Sequence, residues 1–159
     1  MKNYHLTAEP GSFEVRTLRE FDAPRQRVFD AHLDPQAIPR WWGPAYLTTS
    51  VDVLEPHVGG RWRFLQKDPS GSQHNFHGVF HAVESGKRLI QTFEYEGTPG
   101  HVILETADFE ALPGGRTRLT ISSVFQSVAD RDAMIAAGME SGDSESADRL
   151  AAYLNLASI

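Results

Sequence analysis

Between Tyr46 and Phe125 the chain passes through six strand-like stretches parted by turn signals, with no connection long enough to cross a sheet. Parallel neighbours need crossovers of a dozen or more residues, so strands joined in sequence order by short turns form an antiparallel sheet. Val51, Val53 and Leu54 mark the first stretch, and in the second Trp62, Phe64 and Gln66 alternate with Arg61, Arg63 and Leu65. Asp68-Pro69-Ser70-Gly71 sets proline and glycine where a tight turn uses them. The Phe76 to Val83 stretch is apolar on both faces, which leaves open whether Phe76 and Phe80 or His77, Val79 and His81 look inward. Leu89 to Glu96 and Val102 to Leu112 continue the meander, and Pro113-Gly114-Gly115 turns into Thr117 to Phe125.

Helical signals flank this region. Phe13, Val15, Leu18 and Phe21 give a first strand whose alternation slips near Thr17. Asp22-Ala23-Pro24 supplies a capping carboxylate and a proline for a first helical turn, and Val28, Phe29 and His32 share one side of the helix that follows. Asp34-Pro35 starts a second short helix in the same way, which Pro39 and Gly43-Pro44 end. Past the meander, Ser127-Val128-Ala129-Asp130 matches a capping box, so the C-terminal helix begins near Ser127 or Met139. Met139, Gly142, Ser146, Leu150 and Leu154 keep one face of it. Gly142, Asp143 and Ser146 are small or polar where a packed helix carries Leu or Ile, which leaves room beneath the sheet; the alternative is a close helix-to-sheet contact through Gly142.

All three tryptophans lie within 22 positions, in Arg40-Trp41-Trp42-Gly43-Pro44 and Val58-Gly59-Gly60-Arg61-Trp62-Arg63-Phe64. An indole is large and its N–H needs a partner, so such a cluster beside Gly and Pro suits a pocket mouth as well as a core. Read with Glu20-Phe21-Asp22-Ala23-Pro24, Val28-Phe29-Asp30-Ala31, Gly78-Val79-Phe80, Gly114 to Leu119, Gly138-Met139-Glu140, Arg149-Leu150 and Tyr153-Leu154, these segments resemble the START-related (SRPBCC) superfamily. More narrowly they resemble its Hsp90 ATPase activator homologue branch, from about Phe13 to Leu154. The resemblance implies an α+β helix-grip fold of the START/Bet v 1-like kind: a curved antiparallel sheet of six to seven strands wrapped around a long C-terminal helix, with two short helices after the first strand. One START-like domain then fills residues 1–159.

Composition narrows the function classes. A formal charge of −6, a pI of about 5.6 and singly scattered basic residues speak against nucleic acid. No cysteine is present, so thiolate metal sites and disulfides are excluded. No apolar run of about 18 residues offers membrane insertion, and the Met1-Lys2-Asn3-Tyr4-His5 start lacks a signal-peptide core, which makes the cytoplasm the expected compartment. His77 and His81 share a strand face but lie about 13 Å apart, too far for one ion. Gly138-Met139-Glu140-Ser141-Gly142 is no nucleophile elbow, because its serine falls one place late. His77, His101, Tyr95 and Glu94 are the groups that acid–base chemistry could use, yet no inward pair emerges from strand parity, and no catalytic residue, metal or cofactor is assigned.

The leading expectation is a binding module for a small hydrophobic, lipid-like or polyketide-like molecule held between sheet and C-terminal helix. Trp62, Phe64, Phe93 and Tyr95 form its wall by parity, Phe76 and Phe80 join if their face turns inward, Met139 faces them from the helix, and Trp41 and Trp42 stand at the entrance. The resemblance also implies two alternatives: a stress-related, co-chaperone-like protein with a chaperone partner, and a cyclase- or hydrolase-type enzyme. Trp41, Trp42, Pro44 and Tyr46 are too apolar to be left in water, so they either fold over the cavity or meet a second subunit in a homodimer.

Overall fold

A computed structural model describes residues 4–157. Eight strands form one sheet: β1 (Tyr4–Thr7), β2 (Glu14–Phe21), β3 (Thr48–Leu54), β4 (Arg61–Lys67), β5 (Gln73–Glu84), β6 (Arg88–Tyr95), β7 (Val102–Leu112) and β8 (Arg116–Val124). Their order is β1-β2-β8-β7-β6-β5-β4-β3, every pair antiparallel. Each turn-linked stretch from β3 to β8 therefore lies beside its sequence neighbour. Helices α1 (Arg25–Ala31) and α2 (Ile38–Trp41) carry the chain from β2 to the far edge, and α3 (Val128–Ala136) and α4 (Met139–Ala157) close it. This is the helix-grip architecture, with α4 on the concave face.

Four details depart from the sequence reading. The eighth strand is β1, four residues whose partner is Arg16 to Arg19; its short mixed pattern carries no strand period. In β2 the inward row is Val15, Thr17, Arg19 and Phe21, so the alternation is regular and Leu18 faces His5 on the sheet's other side. At the start of α1, Pro24 is the cap with no side-chain hydrogen bond, because the Asp22 carboxylate instead pairs with Arg116 at 3.0 Å. Pro39 sits inside the first turn of α2, where its missing N–H costs nothing, rather than ending the helix.

The C-terminal helix is two helices. Ser127 Oγ accepts the Asp130 N–H at 3.0 Å and starts α3, while the Asp130 carboxylate turns to His101. Gly138, at φ +100°, breaks the helix and redirects it as α4. Three buried clusters follow from the inward rows. Phe21, Val28, Phe29, Phe109 and Leu119 pack with Leu150 and Leu154 of α4. Ile38, Trp62, Phe64 and Phe80 form a second, and Val15, Ile103 and Phe125 a third under α3. The concave face is left unfilled where the three would meet.

Candidate functional site

A cavity of about 340 Å³ occupies that gap between sheet, α4 and the tryptophan loop. A methyl group placed on Gly142 would meet no atom within 4 Å, so the small residues of α4 leave open space and the close-contact alternative is excluded. Trp41, Trp42, Trp62, Phe64, Phe76, Phe80, Phe93 and Met139 all line the cavity. Tyr95 does not line it. Its ring stacks beside Phe76 at 5.1 Å and its hydroxyl meets His74 Nδ1 at 3.2 Å, because Tyr95 lies one inward step beyond Phe93, at the sheet's rim. The β5 ambiguity resolves toward Phe76, Gly78 and Phe80; His77 points outward, 2.8 Å from the Glu96 carboxylate.

One end of the cavity is an aromatic box. Trp42 projects into it with its ring 5.1 Å from Phe64 and 5.3 Å from Phe76, both nearly edge to face, and 6.5 Å from Phe93. Trp62, wholly buried, is anchored by an indole N–H that crosses β5 to the Thr92 carbonyl of β6 at 3.2 Å. Gly78 permits the crossing: a Cβ there would fall 1.9 Å from Thr92 O and 2.4 Å from the Trp62 nitrogen.

The tryptophan loop is fastened over this end by α4. Ser146 Oγ donates to Trp41 O and accepts the Gly43 N–H, each at 3.2 Å, and Arg149 donates to Arg40 O at 3.0 Å and Gly43 O at 2.6 Å. The Glu145 carboxylate accepts the Ala45 N–H at 2.7 Å. Trp41 is itself a core residue, its N–H on Ala31 O at 3.0 Å and its ring against His32. Both tryptophans thus fold over the cavity within one chain, which removes the apolar surface that argued for a second subunit; Tyr46 alone of that group stays exposed.

The opposite end is polar, and the sequence reading missed its central residue. Antiparallel register sets Ser123, Glu105 and Gln91 side by side across β8, β7 and β6 on the concave face, where all three line the cavity. Gln91 Nε2 donates to Glu105 Oε1 at 3.2 Å, and Asp143 of α4 faces the same space. Burial, with the neighbouring Asp143 charge adding to it, raises the Glu105 carboxyl to about 7, and burial raises that of Asp143 to about 6. Nearby, the Tyr4 hydroxyl is buried with no hydrogen-bond partner, and burial followed by the charges of Asp143 and Glu140 pushes it upward. Ile103, Ala107 and Phe109 share the face of Glu105, but Val102 and Leu104 make the other face of β7 equally apolar, so parity alone did not reveal it.

His32 also lines the cavity, its ring against Trp41 and Phe109, as a neutral imidazole. Its Nδ1–H donates to Val28 O at 2.7 Å, and burial lowers it to about 4. Of the acid–base groups named from sequence, none lines the cavity. His77 sits with Glu94 and Glu96 on the outer face, His101 pairs with Asp130, and Glu94 also accepts the Gly100 N–H. Among the described residues no helix is long and apolar enough to cross a membrane.

The comparisons agree with this geometry. The model of the family described as "Activator of Hsp90 ATPase homolog 1-like protein" matches residues 22–155, and the chain belongs to that family. A solution structure of a protein from Arthrobacter aurescens is 28% identical with a TM-score of 0.87, over 95% of this chain and 91% of that one. A crystal structure from Rhodobacter sphaeroides is 25% identical at TM-score 0.85, over 96% and 99% of the two chains. A family protein from Silicibacter pomeroyi shares the fold at 22% identity and TM-score 0.74, over 90% and 98%. Among curated proteins, none matches.

Proposed function

We propose that this member of the activator-homologue family is a binding protein that takes one small, largely apolar molecule, of lipid-like or polyketide-like size, into the cavity between sheet and α4. The observation that carries this reading is the unfilled volume of about 340 Å³ walled by the Trp42 aromatic box and open above Gly142. A volume of that size lies within the range of small-molecule sites. A chain that needed only a core would fill that space, because every missing contact costs packing energy.

Tryptophan emission and thermal unfolding against a panel of apolar compounds test the reading. A ligand that binds only the folded chain adds about 2.7 kcal/mol of stability at a hundredfold excess over Kd. Silence in both readouts across the panel would refute it. A second reading, an acid–base enzyme of the cyclase or hydrolase type, draws support from one observation: Glu105 and Asp143 face one cavity with carboxyls raised to about 7 and about 6, near the pH where such groups exchange protons. Turnover of a bound compound that is lost in Glu105→Gln, with binding kept, would favour the enzyme.

A further inference from the structure

The polar end of the cavity is chemically one-sided. It gathers Glu105 from β7, Asp143 from α4, the unpartnered Tyr4 hydroxyl from β1, and the neutral Gln91 and Ser123 from β6 and β8. Glu140 of α4 adds a further negative charge close to Tyr4. One cation lines the cavity among the described residues, Arg19 of β2, and it is already committed: its guanidinium holds Asp148 at 2.7 Å and lies 5.4 Å from the Phe21 ring centre. His32 is neutral, with its only N–H donated to Val28 O. Asp143 makes no hydrogen bond or ion pair with any described residue, and Glu105 has only the Gln91 amide.

From this juxtaposition we propose that the ligand carries a basic nitrogen, bound as an ammonium between Glu105 and Asp143, on an apolar body that fills the Trp42 aromatic box. The proposal rests on the binding reading above and names its ligand class. The physical reason is differential compensation. An anionic ligand would bring its charge against two carboxyls with no cation to offset it, and a neutral one would leave them without a counter-charge. An ammonium supplies the counter-charge the site lacks, so both carboxyls ionise against it and each gains a charge-assisted hydrogen bond. Tyr4 offers a further oxygen acceptor for a second N–H.

Three probes with one naphthalene body separate the outcomes: 1-naphthylmethylamine, 1-naphthalenemethanol and 1-naphthaleneacetic acid, titrated calorimetrically at pH 6.5. The amine is expected to bind at least tenfold tighter than the alcohol, and the acid weakest. Because carboxyls that were protonated must ionise, amine binding releases protons, read as a dependence of the heat on buffer ionisation enthalpy; alcohol binding releases none. In the double variant Glu105→Gln with Asp143→Asn, amine and alcohol are expected to bind with equal affinity and the proton release to vanish; a retained amine preference overturns the assignment. Alcohol and amine binding equally in the parent overturns the amine assignment while leaving the binding reading intact. Tightest binding of the acid overturns it too. If none of the three binds while another apolar compound of the panel does, the amine assignment is overturned; silence across the whole panel refutes the binding reading itself.

Discussion

Replacing Glu105 by Gln should make the protein more stable in alkali and leave it unchanged in acid. The Glu105 carboxyl titrates near 7 when folded and near 4.5 when unfolded, because burial and the Asp143 charge disfavour its ionised form. Below pH 4.5 both states hold the proton and the site contributes nothing. Between 4.5 and 7 the unfolded chain releases the proton while the folded chain keeps it, so stability falls as pH rises; above 7 the loss is constant. Over that interval of about 2.5 pH, at about 1.4 kcal/mol per pH, the loss reaches about 3.5 kcal/mol. Gln keeps the shape and can still meet Gln91, but does not titrate. Urea denaturation of parent and variant at pH 4 and pH 8 should therefore give equal midpoints in acid and a gap of about 3.5 kcal/mol in alkali, or roughly 7–14 °C in melting temperature for a domain of this size. Parallel stability curves over that range would show that Glu105 is not held in a low-dielectric enclosure, and the argument for a polar cavity end would fall with it.

Three further outcomes follow from the same structure. His32, lowered to about 4 from 6.5 by burial, contributes stability that is present above 6.5 and lost as pH falls toward 4; His32→Phe should abolish that acid limb in a pH series of melting temperatures. Gly78→Ala forces a methyl group against Thr92 O and the Trp62 indole, and should cost about 2–4 kcal/mol with a red shift in tryptophan emission; an unchanged urea midpoint would contradict the crossing hydrogen bond. Arg149→Ala releases the carbonyls of Arg40 and Gly43, so the Gly43 and Ala45 amides should exchange hydrogen faster while those of β7 and β8 keep their rates.

Much of the fold was legible because its signals are local. Turn residues such as Asp68 to Gly71 fix hairpins, and consecutive hairpins fix strand order without long-range information: Asp68 Oδ1 accepts the N–H groups of Ser70 and Ser72, and Gly71 N–H returns to Asp68 O at 2.9 Å. The elements that escaped depend on partners distant in sequence. Four residues at Tyr4–Thr7 become a strand only because Arg16 to Arg19 presents an open edge, and Leu18 faces outward only because Thr17 and Arg19 are drawn to the concave face. Asp22 reads as a helix cap until Arg116, 94 residues away, takes its carboxylate.

The site divides along the same line. Its aromatic wall announced itself, since Trp62, Phe64 and Phe93 alternate with polar residues and Trp42 stands beside a glycine and a proline. The lean face of α4 at Gly142, Asp143 and Ser146 also pointed to open space. Glu105 stayed hidden because Leu104 and Val102 are as apolar as Ile103 and Ala107, and only pairing with Ser123 and Gln91 decides that the carboxylate row is the inner one. A buried acid with no fixed cation is a local conflict with folding, costing up to about 3.5 kcal/mol at neutral pH and above, which a Gln or Leu would avoid. Natural chains carry such conflicts chiefly at functional sites. On the proposed binding reading, the polar end rather than the aromatic wall would be the part of this cavity that chooses among ligands: the wall would take any apolar body of the right size, and Glu105 with Asp143 would discriminate by charge.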